Sequence, residues 1–205
     1  MARAIDNDER TMLDALSNAL ATSDSIDIFV GYFYFSGFQL LADKLKDKKI
    51  RILVGMTIDP NRIEEMIKYA EEQNHDLSYY SPNIYPNAQT VLQNNYIKSL
   101  IAFVNNSESF DTADSSDAFD MFLKKIENGT LEIRQTRNKD QHSKYYIVKN
   151  KEGLDHNGDF PGTVFMGSNN FTYRGLIGQG EMAETFRDSD KYVEYSERFE
   201  KAWDK

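Results

Sequence analysis

Ile26-Asp27-Ile28-Phe29-Val30-Gly31-Tyr32-Phe33-Tyr34-Phe35 leads through Ser36-Gly37 into Phe38 to Leu45, and then to Ile50-Arg51-Ile52-Leu53-Val54-Gly55. The fold turns on this stretch. The first run is β-branched and aromatic and reads as a strand. Ser36-Gly37 breaks it. Phe38, Leu41 and Leu45 fall on one side of a helix. The last run is a short apolar strand of the buried type. A strand, helix and strand within roughly thirty residues predict a parallel pair with a right-handed crossover.

Upstream, Met12, Leu13, Leu16 and Leu20 place an amphipathic helix within residues 8–21. Downstream, Asp59 as N-cap and Pro60 at the first helical position predict a helix over 61–73. Residues 81–87 hold two of the four prolines and read as a loop. A helix over 88–104, a polar acidic loop over 105–116 and a helix over 118–127 follow. The last stops at Asn128-Gly129, a C-cap signal. Strands are predicted over 131–135, 144–149, 163–166 and 181–186, with a Gly-rich turn over 150–162 joining two of them as a hairpin. Phe171 to Leu176 starts a helix, and Tyr192, Tyr195, Phe199 and Trp203 mark another over 190–203. The predicted fold class is α/β.

Length and composition narrow the function. A chain of 205 residues with 40% hydrophobic and 28% charged residues fits one globular domain. It has no Cys, which removes disulfides, thiol nucleophiles and Cys-based zinc sites. Residues 1–10 lack an apolar signal region, and no apolar run approaches a membrane span. The expectation is a soluble, cytoplasmic protein. The net charge of −9 argues against tight nucleic-acid binding by the whole surface, though a local basic cleft remains compatible with it. The acidic groups Glu64, Glu65, Glu71 and Glu72, and Glu108 to Asp120, read as solvated surface.

The chemistry concentrates late in the chain. His142 and Lys144 stand at the entrance to a strand, and their i, i+2 spacing points both side chains to one face. An ammonium beside an imidazole favours the neutral, nucleophilic ring and also neutralises a phosphoryl oxygen. The next strand ends at Gly167-Ser168-Asn169-Asn170, where a hydroxyl and a carboxamide project beyond a sharp turn and can donate to phosphate oxygens. Taken singly, the His-x-Lys triplet and the Gly-Ser turn are weak signals. One on each of two successive strands, about 25 residues apart, is more specific.

These residues resemble the signature of the phospholipase D superfamily: His-x-Lys, four residues, Asp, then Gly-Ser-x-Asn on the next strand. His142, Lys144, Gly167, Ser168 and Asn170 match, and Glu181 matches a following acidic residue. Lys149 stands where the signature has Asp. The stretches Gly31 to Phe38, Arg51 to Gly55 and Asn169 to Leu176 are similar to the phospholipase-D-like modules at the N-terminus of some bacterial superfamily II helicases and restriction-type proteins. The resemblance leaves about Tyr80 to Asn128 uncovered. It implies a mixed, largely parallel sheet flanked by helices on both faces, in one domain that begins a longer helicase-type polypeptide.

The resemblance also implies a mechanism. The superfamily builds one site from two His-x-Lys motifs, and this chain has one. His75 and His156 are followed two positions on by Leu77 and Gly158. Either two chains pair or the site is incomplete, and a homodimer is expected, with two His142 side chains facing one phosphate. One attacks to give a phosphohistidine while the other protonates the leaving oxygen, with no metal or cofactor. Glu181 would hold the imidazole tautomer, or is simply a surface residue. Arg134, Arg137, Lys139 and Arg174 form a basic patch for nucleic-acid phosphate, or are ordinary surface charge. Phe171 and Tyr173 stack on bases or pack in the core.

Two functions stay open. One is a DNA phosphodiesterase of a restriction, defence or helicase-associated protein. The other is a catalytically weak nucleic-acid-binding or dimerisation module of a helicase. Lipid hydrolysis is disfavoured, because no basic amphipathic helix offers itself to a membrane.

Overall fold

A computed structural model describes residues 4–31, 33, 35–55, 113–136, 141–152, 160–178 and 180–204. Their elements are α1 (Met12–Leu20), β1 (Ser23–Val30), α2 (Phe35–Leu45), β2 (Lys49–Val54), α3 (Ala113–Glu127), β3 (Leu131–Gln135), β4 (Tyr145–Asn150), β5 (Gly162–Gly167), α4 (Tyr173–Ile177), β6 (Ala183–Phe186) and α5 (Ser189–Trp203). The expected helices over 61–73 and 88–104 and the loop over 81–87 lie outside the described residues.

The strands form one sheet in the order β3-β2-β1-β4-β5-β6. β1 pairs with β2, and β2 with β3, in parallel, as the β-α-β reading requires. β4 runs antiparallel to β1, β5 to β4 and β6 to β5. The sheet is thus mixed. Four strands share one direction, and the motif-bearing half is antiparallel because its strands follow one another through short reversals. Chain order reverses between β1 and β4, which are the central strands of the sheet.

Alternation along β1 sets the layers. Ile26, Ile28 and Val30 face a core shared with Leu16 and Leu20 of α1, Phe38 and Leu41 of α2, Phe122 of α3 and Leu176 of α4. Phe29 faces the other way, with Tyr145, Ile147, Phe199 and Trp203, so α5 covers the second face. Arg51 fastens it. Its guanidinium grips Asp27 at 2.6 Å and Glu200 at 2.6 Å and lies over the rings of Phe199 and Trp203.

Several element ends differ from expectation. β1 stops at Val30, level with Val54 at the end of β2 and one residue past the pairing of Phe29 with Tyr145 at the start of β4. Phe33 and Phe35 are core residues, with Phe35 opening α2. Gly37 lies inside α2 rather than before it. A Cβ there would come within 2.6 Å of the Phe171 backbone, so this glycine permits close packing instead of breaking structure. α3 begins at Ala113, within the stretch read as a polar loop. Its far end follows the prediction, with Gly129 at φ +72°.

Asn7 was not singled out by sequence. It is buried with φ 57°, its Oδ1 accepts the Met12 N–H at 2.7 Å, and its Nδ2 donates to the carbonyls of Gly175 and Gly178. It ties the start of α1 to α4.

Candidate functional site

The topology gathers the motifs at one end of the sheet. β1 and β5 run towards that end and deliver Gly31 and Gly167-Asn170. β4 and β6 start from it, preceded by His142-Lys144 and Glu181-Met182. His142 is exposed, while Lys144, Asn170 and Glu181 are half-buried.

Three of the predicted groups converge over the end of β1. A methyl carbon placed on Gly31 would lie 3.4 Å from Asn170 Oδ1, 3.7 Å from Lys144 Nζ and 3.8 Å from His142 Nδ1. Imidazole, ammonium and carboxamide therefore surround one point. Lys144 Nζ donates to the His142 carbonyl at 2.8 Å, which leaves two of its three hydrogens for an acceptor.

The support beneath explains the convergence. The backbone before His142 packs directly on β2, where a Cβ on Gly55 would meet the Gln141 carbonyl oxygen at 1.8 Å. Tyr146 lies two residues beyond Lys144 on the same face, is fully buried, and donates its hydroxyl to the Asn169 carbonyl at 2.9 Å. That bond joins the two motifs. Asn169 is also buried, and its Nδ2 donates to the Gly175 carbonyl at 2.7 Å. Thr172 caps α4, its Oγ1 accepting the Gly175 N–H.

The remaining candidates separate. The Ser168 hydroxyl accepts the Met182 N–H at 3.0 Å, and its own N–H donates to the Met182 carbonyl at 2.9 Å. It closes the turn onto the start of β6. Glu181 precedes Met182, and its charge reaches Tyr146, whose phenol is pushed well up chiefly by burial and further by that carboxylate. Arg174 is exposed on α4. Arg134 is not in a basic patch at the site: it donates to the Trp203 carbonyl, stacks on that indole at 4.3 Å and pairs with Glu132. Arg137 and Lys139 lie outside the described residues. Phe171 is core, whereas Tyr173 is 54% exposed and free to meet a ligand or partner.

Lys149, at the position where the signature has Asp, sits five residues along β4 from Lys144, roughly 17 Å away. It pairs in register with Ser25 and its charge acts on Asp27. The substitution leaves the three-group cluster untouched. Sequence reasoning missed Tyr146, although the same i, i+2 rule that joined His142 to Lys144 extends to it. It also missed Gly31 as part of the site.

A mixed sheet sandwiched between helices, with His-x-Lys and Gly-Ser-x-Asn converging at one strand end, defines a protein of the phospholipase D superfamily. The chain matches the family model described as "Cardiolipin synthase, PLD-like domain" over residues 12–203, and belongs to that family. Among solved structures it is similar to Nuc from Salmonella typhimurium, a phospholipase D family member. The TM-score is 0.50 at 14% identity, covering 100% of this chain and 94% of that one. It is also similar to the polyphosphate kinase from Porphyromonas gingivalis, with TM-score 0.49 and 10% identity over 98% of this chain and 26% of that one. NucT from Helicobacter pylori has TM-score 0.43 and 12% identity over 94% of this chain and 87% of that one. No curated protein sequence matches at a significant level. Among the described residues no helix is long and apolar enough to cross a membrane.

Proposed function

We propose that the chain is a metal-independent phosphodiesterase acting on nucleic acid, with DNA as its substrate, and that two copies complete one active site. The observation that carries this reading is the convergence of His142 Nδ1, Lys144 Nζ and Asn170 Oδ1 within 4 Å of one point over Gly31. It supplies a nucleophile, a cation and an amide, the parts that phosphoryl transfer requires. One His142 attacks phosphorus, forming an N–P bond as the bond from phosphorus to the leaving oxygen breaks. The His142 of the second copy gives its proton to that oxygen. It then takes a proton from water, whose oxygen attacks phosphorus and breaks the N–P bond. Lys144 and the Asn170 Nδ2 donate to the non-bridging oxygens. Glu181 orients an imidazole, and Ser168 fixes the turn. Arg174, with Arg137 and Lys139, guides the phosphate backbone.

The single His-x-Lys motif supports the second copy. So does Met182, 61% exposed and bonded through its backbone to Ser168 at the half-site. The similarity of Asn169 to Leu176 to helicase-linked modules supports a place at the start of a helicase-type, restriction or defence polypeptide. The second reading is a module that holds nucleic acid or couples two chains without cleaving, and the net charge of −9 favours it in its chain-coupling form.

Nicking of supercoiled DNA in EDTA separates the two. Wild type is expected to nick, and His142→Ala to lose at least about 10³-fold in rate. Retention of DNA by an uncleaving wild type would establish the binding module instead.

A further inference from the structure

Gly31 is the described glycine that the fold itself does not require. Gly129 and Gly180 occupy positive φ. At Gly37, Gly55, Gly162, Gly167, Gly175 and Gly178 a Cβ would come closer than 3.0 Å to backbone atoms. Gly31 has neither constraint. Its φ is not positive, and the nearest atoms to an added Cβ stand at 3.4 to 3.8 Å, ordinary van der Waals distances. Among the described residues there is room for a methyl group there.

The surroundings of that space point to what fills it. Among the described residues, the three atoms nearest to it are the polar tips of Asn170, Lys144 and His142. A point bordered by an ammonium and an imidazole nitrogen suits an oxygen of an anion. Of the three tips, Lys144 Nζ and an N–H at His142 Nδ1 can donate to an oxygen there, whereas Asn170 Oδ1 only accepts, so the Asn170 amide serves the anion through its Nδ2. Gly31 itself is buried, whereas His142 is exposed, so the cluster runs from the end of β1 to the surface.

We infer that Gly31 is the floor of the phosphate niche, a positioning residue whose bare Cα seats a non-bridging oxygen of a tetrahedral oxyanion. The inference rests on the phosphate-handling reading given above. The glycine acts through absence: a methyl group would lift the oxyanion off its donors without disturbing the fold.

The test compares wild type, Gly31→Ala and Gly55→Ala in three measurements: thermal unfolding, binding of inorganic phosphate by calorimetry, and nicking in EDTA. Gly31→Ala is expected to melt at or slightly above the wild-type temperature, because the added Cβ restricts the unfolded chain without strain in the folded one. Its phosphate affinity should fall about tenfold or more, and its cleavage rate on the order of 10²-fold. Gly55→Ala should melt well below wild type, since its Cβ would overlap the Gln141 carbonyl. Equal phosphate affinity in wild type and Gly31→Ala overturns the inference alone, as does a Gly31→Ala melting point as low as that of Gly55→Ala. A wild type that binds phosphate but never cleaves overturns the nuclease reading and leaves the niche standing. A wild type without phosphate affinity overturns both.

Discussion

Tyr146 shows how one side chain can set the distance between two motifs. Its hydroxyl donates to the Asn169 carbonyl, one peptide unit before the Asn170 carboxamide, while its own strand carries Lys144. In Tyr146→Phe that buried carbonyl loses this donor, at a cost of about 1–3 kcal/mol. Urea unfolding should show the loss, and phosphate affinity should weaken with it as Asn170 loosens. A variant as stable as wild type would show that the bond is dispensable. Asn7 makes a comparable contribution away from the site. Asn7→Ala removes three hydrogen bonds and leaves a residue poorly suited to φ 57°. A destabilisation on the order of 3 kcal/mol is expected in urea, with α1 and α4 losing amide protection first.

At the scale of elements, the arginine that holds α5 to the sheet through Glu200 also forms, with Asp27 on the neighbouring strand, an ion pair that has a pH signature. Burial raises the Asp27 carboxyl above its ordinary value, and the Arg51 guanidinium opposes that rise. A carboxyl held above its unfolded value binds its proton more readily in the folded chain. Its ionisation therefore costs stability as pH rises through the folded value. Arg51→Met removes the opposing charge and keeps the bulk against Phe199 and Trp203. The destabilisation should be on the order of 3 kcal/mol at pH 7 and shrink as the pH falls towards the point where Asp27 takes up a proton. Urea midpoints of wild type and variant at pH 7 and pH 4.5 check this. An equal gap at both would mean that Asp27 does not titrate in that interval.

For the whole molecule, the decisive property is stoichiometry. A chain with one His-x-Lys motif carries half of the two-imidazole machinery proposed for it. Mixing wild type with an equal amount of His142→Ala, after exchange of subunits, leaves roughly a quarter of the dimers with both imidazoles. Nicking per wild-type chain should then fall to about half, and further as the variant is added in excess. Activity strictly proportional to wild-type chains would indicate that each copy works alone. Sedimentation over a dilution series should show dimers dissociating as specific activity drops.

The strand-helix-strand unit, the hairpin of β4 and β5, and the placement of His142 and Lys144 on one face were legible in the chain. They depend on periodicity within short segments, which local sterics impose whatever surrounds them. Where contact between distant segments decides, the sequence is silent. Gly37 looks like a breaker until the Phe171 backbone is seen beside it. Arg134 looks like part of a basic patch until Trp203 is found beneath it. The sequence by itself determined which chemical groups the site has and the strands that carry them. Only the tertiary structure decided that β1 lies between β2 and β4, so that Gly31 meets the imidazole, the amine and the carboxamide. That arrangement comes from packing two apolar faces of one sheet against helices, an energy summed over the whole chain and written in no single segment.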